Sequence, residues 1–408
     1  MTLSLIITIC ILILIAYSFD ITSKHTKIPT VIFLLLLGYV VKKLVVFFEL
    51  KIVDLSALLP IFGTIGLILI VLEGALELQL NKKKLPVIKK SLWSAVLPLV
   101  TLCLVIGVMV HLYTGDSLLD SFLNAAPFCV ISSAIAIPSV QNLNPANKEF
   151  VIYESSMSDI IGVILFSFLI GNEVIEVSSF LHFGFQLLLI LIISFIASVA
   201  LAVLIKEIDH HVKMIPIMVM VVFVYAIAKI YHLPALLFIL ILGLFLNNLD
   251  EMKHFTFIKK LDPTHLDLEL RRFAILAGEA AFLIRTIFFL LFGYFIKAEN
   301  LLDLDTLPYA LIIVGLILLV RFVQLKITKT PLRPMLFIAP RGLITIMLFL
   351  EIPYTRKVLL MNESLLMQVI VLTILIMMFG IMFHKPADLP ETSDQVVEPE
   401  FIEPNKIF

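Results

Sequence analysis

Long apolar stretches, separated by short breaks that contain charges, proline or asparagine, run along almost the whole chain. Many approach the roughly 20 residues with which a helix crosses about 30 Å of hydrocarbon. Hydropathy therefore predicts thirteen membrane-spanning helices. Their expected bounds are 2–19, 30–48, 55–80, 91–112, 119–140, 149–171, 180–205, 214–231, 233–249, 273–298, 306–328, 334–351 and 361–384.

Composition supports the same class. Of 408 residues, 61% are hydrophobic and 15% charged, whereas soluble domains are about 45–50% apolar and about 25% charged. We predict an all-α polytopic membrane protein. The first apolar run lacks a basic leader and a small-residue cleavage site, so we expect a mature span rather than a signal peptide. The cysteines, Cys10, Cys103 and Cys129, lie within spans without paired spacing and are expected to be apolar fillers, not a disulfide framework or metal site.

Basic residues predict the orientation. If the N-terminus lies outside, the odd-numbered connections and the start of the tail are cytoplasmic, and these carry most of the lysines and arginines. Cytoplasmic connections are enriched in these residues. We expect a multi-pass protein of the cell (inner) membrane with an external N-terminus and a cytoplasmic C-terminus.

Thirteen spans allow an internal symmetry. A transporter domain at 1–386 would contain repeat 1 (about 2–171), a linker helix (about 180–205) and repeat 2 (about 214–384). The odd offset of seven spans makes the repeats inverted, as in many secondary transporters. Span 5 with Pro138 then matches span 12 with Pro340, and both carry polar residues at mid-depth. We predict two broken crossing helices, with simple proline kinks as the alternative.

Two segments lie outside the spans. Residues 250–272 are highly charged and are expected to form a cytoplasmic linker, and the acidic tail 387–408 is expected to be disordered. Neither a GxGxxG nor a GxxxxGK[ST] motif is present, and there is no basic domain. We expect no nucleotide, nucleic-acid or cofactor binding.

Ionisable residues deep in a span cost several kcal/mol, about 2.5–3.5 on insertion scales, and commonly mark an ion path or a paired interior. Five such residues are Glu73, Glu154, Asp159, Arg285 and Arg341. Arg321 is a sixth, but it lies near the inner end of its span, where we expect it to snorkel to the interface.

Helical spacing separates the two carboxylates of span 6. Ser155 and Asp159 are four residues apart and share a face, whereas Glu154 and Asp159 are five apart and point in different directions. We expect a proton or cation site at Asp159. A buried Glu154 needs a cation or a proton, and we predict a structural ion pair with Arg341, a direct role in transport being the alternative.

Five motifs, in order, resemble the monovalent cation–proton antiporters of the CPA superfamily. They are "KIPTVIFLLLLGYV", "GLILIVLEGALELQLNKKKL", "YESSMSDIIGVILF", "RTIFFLLFGYFI" and "APRGLITIMLFL". The resemblance implies a sodium/proton antiporter-like fold. It also implies Asp159 as ion-binding carboxylate, Ser155 as ligand, Glu73 as a site residue and Glu154 paired with Arg341. For Glu73 a structural pair with Arg285 is the alternative, and Arg285 itself is expected to be supporting.

Two positions depart from the family's pattern. Ser158 replaces the asparagine or aspartate that precedes Asp159, and a single acid favours electroneutral exchange. The crossover reads "SSAIAIPS", closer to potassium-efflux relatives, so that Ser132 and Ser133 are the nearest candidate ligands.

The resemblance implies exchange of a monovalent cation for protons in a homodimer, with Na⁺ as first candidate and K⁺ or Li⁺ open. It also implies a core of spans 4–6 and 11–13 that moves against the rest.

The competing functions are few. A symporter or cation channel on the same architecture would use Asp159 for a different solute or coupling. An intramembrane hydrolase would need a catalytic constellation, and HExxH, GxGD and GxSxG motifs are missing. We therefore expect a transporter, not an enzyme. Burial disfavours the charged form of a carboxyl group, so Asp159 is expected to bind a proton or a cation in competition.

Overall fold

The computed structural model describes residues 2–26, 28–49, 58–78, 84–141, 143–207, 214–231, 233, 235–248, 263–295 and 301–383. These residues form α-helices and one short 3₁₀ turn at Tyr354–Arg356. The helices are α1 (Thr2–Thr26), α2 (Thr30–Phe47), α3 (Leu58–Glu77), α4 (Leu85–Thr114), α5 (Leu118–Cys129), α6 (Ser133–Ser139), α7 (Pro145–Ile170), α8 (Val177–Glu207), α9 (Met214–Ile230), α10 (Ala235–Asn247), α11 (Pro263–Phe295), α12 (Leu307–Ile327), α13 (Leu343–Glu351) and α14 (Glu363–Met382).

The membrane-spanning pattern is confirmed. In the described part of the chain, nine helical segments are long and apolar enough to cross a membrane. Three further apolar segments are shorter: Cys10–Ser23, Met214–Ile230 and Ala235–Asn247. The remaining predicted span, 334–351, is helical only as α13. All thirteen predicted spans thus have a counterpart, and the protein is a multi-pass membrane protein.

Local sequence signals set several helix starts. The Ser117 side chain accepts a hydrogen bond from the Asp120 amide at the start of α5 (3.1 Å), and Asn144 caps α7 through the Asn147 amide (2.8 Å). Each side chain satisfies an amide that the first turn of a helix leaves unpaired. α4 ends where Gly115 adopts φ +77° and its amide bonds to the carbonyl of His111, as glycine permits after a helix.

Packing divides the helices into two bundles. In the core bundle, α4 packs against α5, α7 and α12, α6 packs against α7, α13 against α5, and α14 against α12. In the flanking bundle, α11 packs against α2 and α3, α10 packs against α3, α8 and α9, and α1 against α2. The core bundle comprises the helices that correspond to spans 4–6 and 11–13. Its movement stays a prediction.

Three sequence predictions meet different outcomes. The last part of the expected linker, 250–272, is helical, because α11 already begins at Pro263; its cytoplasmic location stays a prediction. The disordered tail, 387–408, lies outside the described residues. The repeat boundaries stay a prediction, although the two interrupted helices fall at the positions that the repeat matches.

Candidate functional site

The first interruption separates α5 from α6 at residues 130–132, in the middle of the membrane-spanning segment. Unpaired backbone groups in an apolar interior are costly, so each needs a partner. The Ile131 amide donates to the Ser158 hydroxyl (2.9 Å), and the Ser132 amide donates to the carbonyl of Pro340 (2.9 Å). Side chains and the second interrupted segment thus replace the missing helical bonds.

The second interruption is the non-helical segment 328–342 before α13, which crosses the first interruption. Arg341 donates from Nε to the carbonyl of Phe128 (2.7 Å), and its two Nη atoms donate to Ala339 (2.8 Å) and Cys129 (3.3 Å). Phe128 and Cys129 are the last residues of α5, where carbonyls lack helical partners and carry partial negative charge. Arg341 therefore neutralises the end of α5 and joins the two crossing segments.

Gly342 allows this close crossing. A Cβ atom at this position would lie 2.3 Å from Cδ1 of Ile135 and 2.9 Å from Oγ of Ser132. A larger residue would displace these two side chains, so glycine lets the two segments cross with Ile135 and Ser132 in place. Arg341 and Gly342, adjacent in the sequence, thus act together at the crossing: the arginine provides charge and hydrogen bonds, and the glycine provides space.

Proline positions explain the breaks only in part. Pro340 lies within the unwound segment. Pro138, by contrast, lies inside α6, which ends at Ser139, and the chain unwinds several residues earlier. Span 5 is thus interrupted, and the interruption lies not at Pro138 but where Ser158, Pro340 and Arg341 provide hydrogen-bond partners.

Asp159 lies on α7 opposite the start of α6 and is 5% exposed. Its Oδ2 accepts hydrogen bonds from the hydroxyl and the amide of Ser133, the latter at 3.3 Å. Its Oδ1 is buried and has no hydrogen-bond partner within the described ranges. One carboxylate oxygen is thus held in place while the other remains able to bind a proton or a cation.

The neighbouring serines have different roles. Ser133 contacts Asp159 directly. Ser132 is 1% exposed, and its amide belongs to the crossing described above. The Ser155 hydroxyl donates to the carbonyl of Val151 (2.8 Å), which leaves its oxygen lone pairs for a ligand.

Glu73 and Arg285 line a cavity of about 440 Å³ between the two bundles. Asp20, Gly74, Ser133 and Pro138 also contribute to its wall. The cavity runs from the membrane face where α1 and α6 end to Ser133, the residue that holds Asp159. Carboxylates and hydroxyls along such a route are the oxygen ligands that hard cations prefer.

Glu154 pairs with Arg321 of α12. The pair with Arg341 that we predicted from the sequence is therefore wrong. Two bonds join the groups, Nη1 with Oε1 and Nη2 with Oε2, the second at 2.7 Å. Arg321 also donates to the carbonyls of Met335 and Ile338 (3.2 and 3.3 Å). It is 2% exposed, so the expectation that it snorkels to the interface is wrong as well.

Helical spacing could not identify the partner of Glu154. Helical spacing correctly separates the directions of Glu154 and Asp159, since the former faces α12 and the latter α6. Spacing within one helix gives no information on which arginine of another helix lies opposite. The one available signal was that both Arg321 and Gln324, three residues apart, put polar groups on one face of α12.

At the opposite membrane face the two bundles meet. Lys229 at the end of α9 forms an ion pair with Glu351 at the end of α13. Nearby, Arg356 pairs with Asp120 (2.6 Å) within the core bundle. The bundles are thus tied together on this face, whereas the cavity separates them on the other.

Comparison with known proteins agrees with this arrangement. Residues 9–387 match the family described as sodium/hydrogen exchanger, transmembrane. No curated protein sequence matches. A structure of the sodium proton antiporter MjNhaP1 from Methanocaldococcus jannaschii at pH 8 is similar with a TM-score of 0.67 at 18% identity, over 94% of this chain and 100% of that one. An electron-microscopy map of the same antiporter gives 0.65 at 18% identity, over 95% and 100%.

These two likenesses show a shared fold, the sodium/proton antiporter fold expected from the sequence. The family match spans nearly the entire chain, and on that ground the chain belongs to the sodium/hydrogen exchanger family of transmembrane proteins.

Proposed function

We propose that this exchanger binds its cation and its proton at the same carboxyl group, that of Asp159. Family membership establishes cation:proton exchange; the residues that perform it are the proposal. The observation that carries it is the buried Oδ1 of Asp159, which has no hydrogen-bond partner in the described part of the chain. The other carboxylate oxygen, Oδ2, accepts hydrogen bonds from Ser133.

A buried carboxylate needs a positive partner. None of the hydrogen bonds or ion pairs that the described residues make with Asp159 comes from a lysine or arginine. A proton or a monovalent cation supplies the charge instead. Because one oxygen cannot carry both at once, loading of one expels the other, and the carboxyl group carries no net charge in either loaded state. Exchange of one cation for one proton is therefore electroneutral.

The remaining ligands are drawn from the cavity wall, which includes Ser133 and Glu73, and from two further serines near Asp159. Ser133 and Ser132 lie at the crossing, Ser155 presents its lone pairs from α7, and Glu73 lies on the route from the membrane face. Alkali cations are hard and bind oxygen. We take Na⁺ as the first candidate, with Li⁺ and K⁺ as competitors for the same oxygens.

Transport requires that the site face each side in turn. The core bundle carries Asp159 and both interrupted helices, and the flanking bundle supplies Glu73 and Arg285. We propose that the core bundle moves against the flanking bundle. In the orientation predicted from the basic residues, the N-terminus would be external and the cavity would open to the cytoplasm. Two copies form the functional dimer in this proposal.

The test is exchange in proteoliposomes. Wild-type protein should dissipate an imposed pH gradient when Na⁺ is added, and Asp159→Asn should abolish that response. Asp305→Asn, a change at an exposed loop carboxylate, is the matched control and should exchange like the wild type. Full exchange by Asp159→Asn would exclude the assignment. Cation flux in the same direction as protons, or flux without proton coupling, would indicate a symporter or a channel.

A further inference from the structure

The hydroxyl of Ser156 is a second buried oxygen beside the candidate site that has no hydrogen-bond partner within the described ranges. Its side chain is on α7, and the residue is 7% exposed. A hydroxyl that has left water without gaining a partner costs free energy, and native proteins keep few such groups without a reason.

Serines inside these helices usually find a partner in their own backbone. The hydroxyls of Ser155, Ser194 and Ser198 each donate to the carbonyl four residues earlier, at 2.8, 2.5 and 2.6 Å. This back-bonding is the ordinary structural solution for a serine in an apolar helix. Ser156 lies in the same kind of helix and does not adopt it, so an ordinary structural role does not account for its hydroxyl.

The position of Ser156 relates it to the ion site. It precedes Asp159 by three residues, and residues with this spacing are neighbours on a helix surface. Asp159 Oδ1 is the other buried acceptor of this region that lacks a partner. Two unsatisfied oxygens thus lie on one face of α7, within one turn.

Gly74 connects Ser156 to the cavity. This glycine lines the cavity together with Glu73. A Cβ atom on Gly74 would lie 3.4 Å from the Ser156 hydroxyl oxygen, the nearest atom within 4 Å. The missing side chain therefore leaves open space between the cavity wall and the hydroxyl.

We propose that Ser156 is an oxygen ligand of the transported cation and helps to select among alkali ions, a role that rests on the function proposed for Asp159. A hydroxyl oxygen is a hard ligand of the type these cations prefer. The same group donates to an ionised carboxylate and accepts from a protonated one. It therefore suits both loaded states of Asp159, the cation-bound and the proton-bound.

The test compares Ser156→Ala and Ser156→Cys with a matched control. Ser156→Cys keeps the shape of the side chain and replaces the hard oxygen with a larger, soft sulfur. Ser94→Ala removes another buried hydroxyl without a described partner, on α4 and outside the cavity wall. Exchange in proteoliposomes and cation-induced thermal stabilisation of the purified protein are measured with Na⁺, Li⁺ and K⁺.

Both Ser156 variants should bind the preferred cation about five- to tenfold more weakly, as expected for loss of one polar contact, and should change the ratio of affinities among the three ions. Ser94→Ala should leave affinity and ratio as in the wild type. A loss of stability alone would lower the amount of active protein without changing that ratio.

Gly74→Ala provides an independent variant, since its methyl group fills the space in front of the hydroxyl and leaves every oxygen in place. It should weaken the cation affinity in the same direction. The inference is overturned if Ser156→Ala and Gly74→Ala retain wild-type affinities and ratios, or if Ser94→Ala shifts them equally. Full exchange by Asp159→Asn would instead refute the function proposed for Asp159.

Discussion

Glu154 on α7 and Arg321 on α12 form a two-point ion pair in which both residues are 2% exposed or less. The pair links the helix that carries Asp159 to the unwound segment before α13, because Arg321 also binds the carbonyls of Met335 and Ile338. Taking two charges out of water is costly, and the remaining donors of the guanidinium must also be satisfied. The carbonyl contacts meet that requirement.

Removing one member of this pair should destabilise the protein strongly. Arg321→Ala leaves the Glu154 carboxylate buried without its partner, and we expect a loss of about 3–5 kcal/mol in the free energy of unfolding. Thermal unfolding of the purified protein measures the change. The double variant Glu154→Gln/Arg321→Gln should recover part of the loss, since neither charge remains. A double variant less stable than Arg321→Ala would contradict the pairing.

Arg341 should be energetically independent of Glu154. Arg341→Lys keeps the charge but loses the planar fork that reaches Phe128, Ala339 and Cys129, so we expect reduced stability by about 1–3 kcal/mol and slower exchange. A double-mutant cycle between positions 154 and 341 should give a coupling energy near zero, whereas the cycle between 154 and 321 should give a large one. The reverse result would restore the pairing suggested by the sequence.

Ser158 should matter for the fold rather than for the ion. Its hydroxyl accepts the hydrogen bond of the Ile131 amide (2.9 Å), so Ser158→Ala leaves that amide unpaired in the membrane interior. We expect a stability loss of about 1–3 kcal/mol with an unchanged affinity for the transported cation. Thermal unfolding and cation titration of exchange separate the two effects. A changed cation affinity at unchanged stability would make Ser158 a ligand.

The ion pair between Lys229 and Glu351 tests the movement of the bundles. If the core bundle moves against the flanking bundle, the two residues separate during each cycle. In a Cys10→Ser background, Lys229→Cys and Glu351→Cys joined by a short thiol-specific cross-linker should lose exchange and regain it when the link is cleaved. Each single cysteine variant treated with the same reagent is the control. Undiminished exchange in the linked protein would exclude separation at this face.

The sequence predicted the spans well because each depends on a local property, the length of an apolar run. It located Asp159 for the same reason, since a carboxylate among apolar residues is conspicuous. It failed for Arg321, whose position near a helix end indicated the interface, and it did not give the position of the break in span 5. Both depend on contacts between helices far apart in the chain: Ser158 with Ile131, Pro340 with Ser132, and Arg321 with Glu154.

The role of Ser156 also could not be predicted from the sequence. The resemblance to known antiporters directs attention to Ser155, and helical spacing alone does not distinguish it from Ser156. The difference lies in their hydrogen bonds, since Ser155 donates to Val151 and Ser156 has no partner in the described part of the chain. Only the three-dimensional structure distinguishes a hydroxyl that has a hydrogen-bond partner from one that has none.

The central claim is that one carboxyl group, Asp159, binds either a proton or a cation. Proton release on Na⁺ binding tests it most directly, by titration calorimetry of the purified protein in buffers of different ionisation enthalpy. Where the carboxyl group is protonated, binding of each Na⁺ should release about one proton, and affinity should fall about tenfold for each unit that the pH is lowered. Asp159→Asn should show neither effect. Na⁺ binding without proton release, or release that persists in Asp159→Asn, would contradict the account.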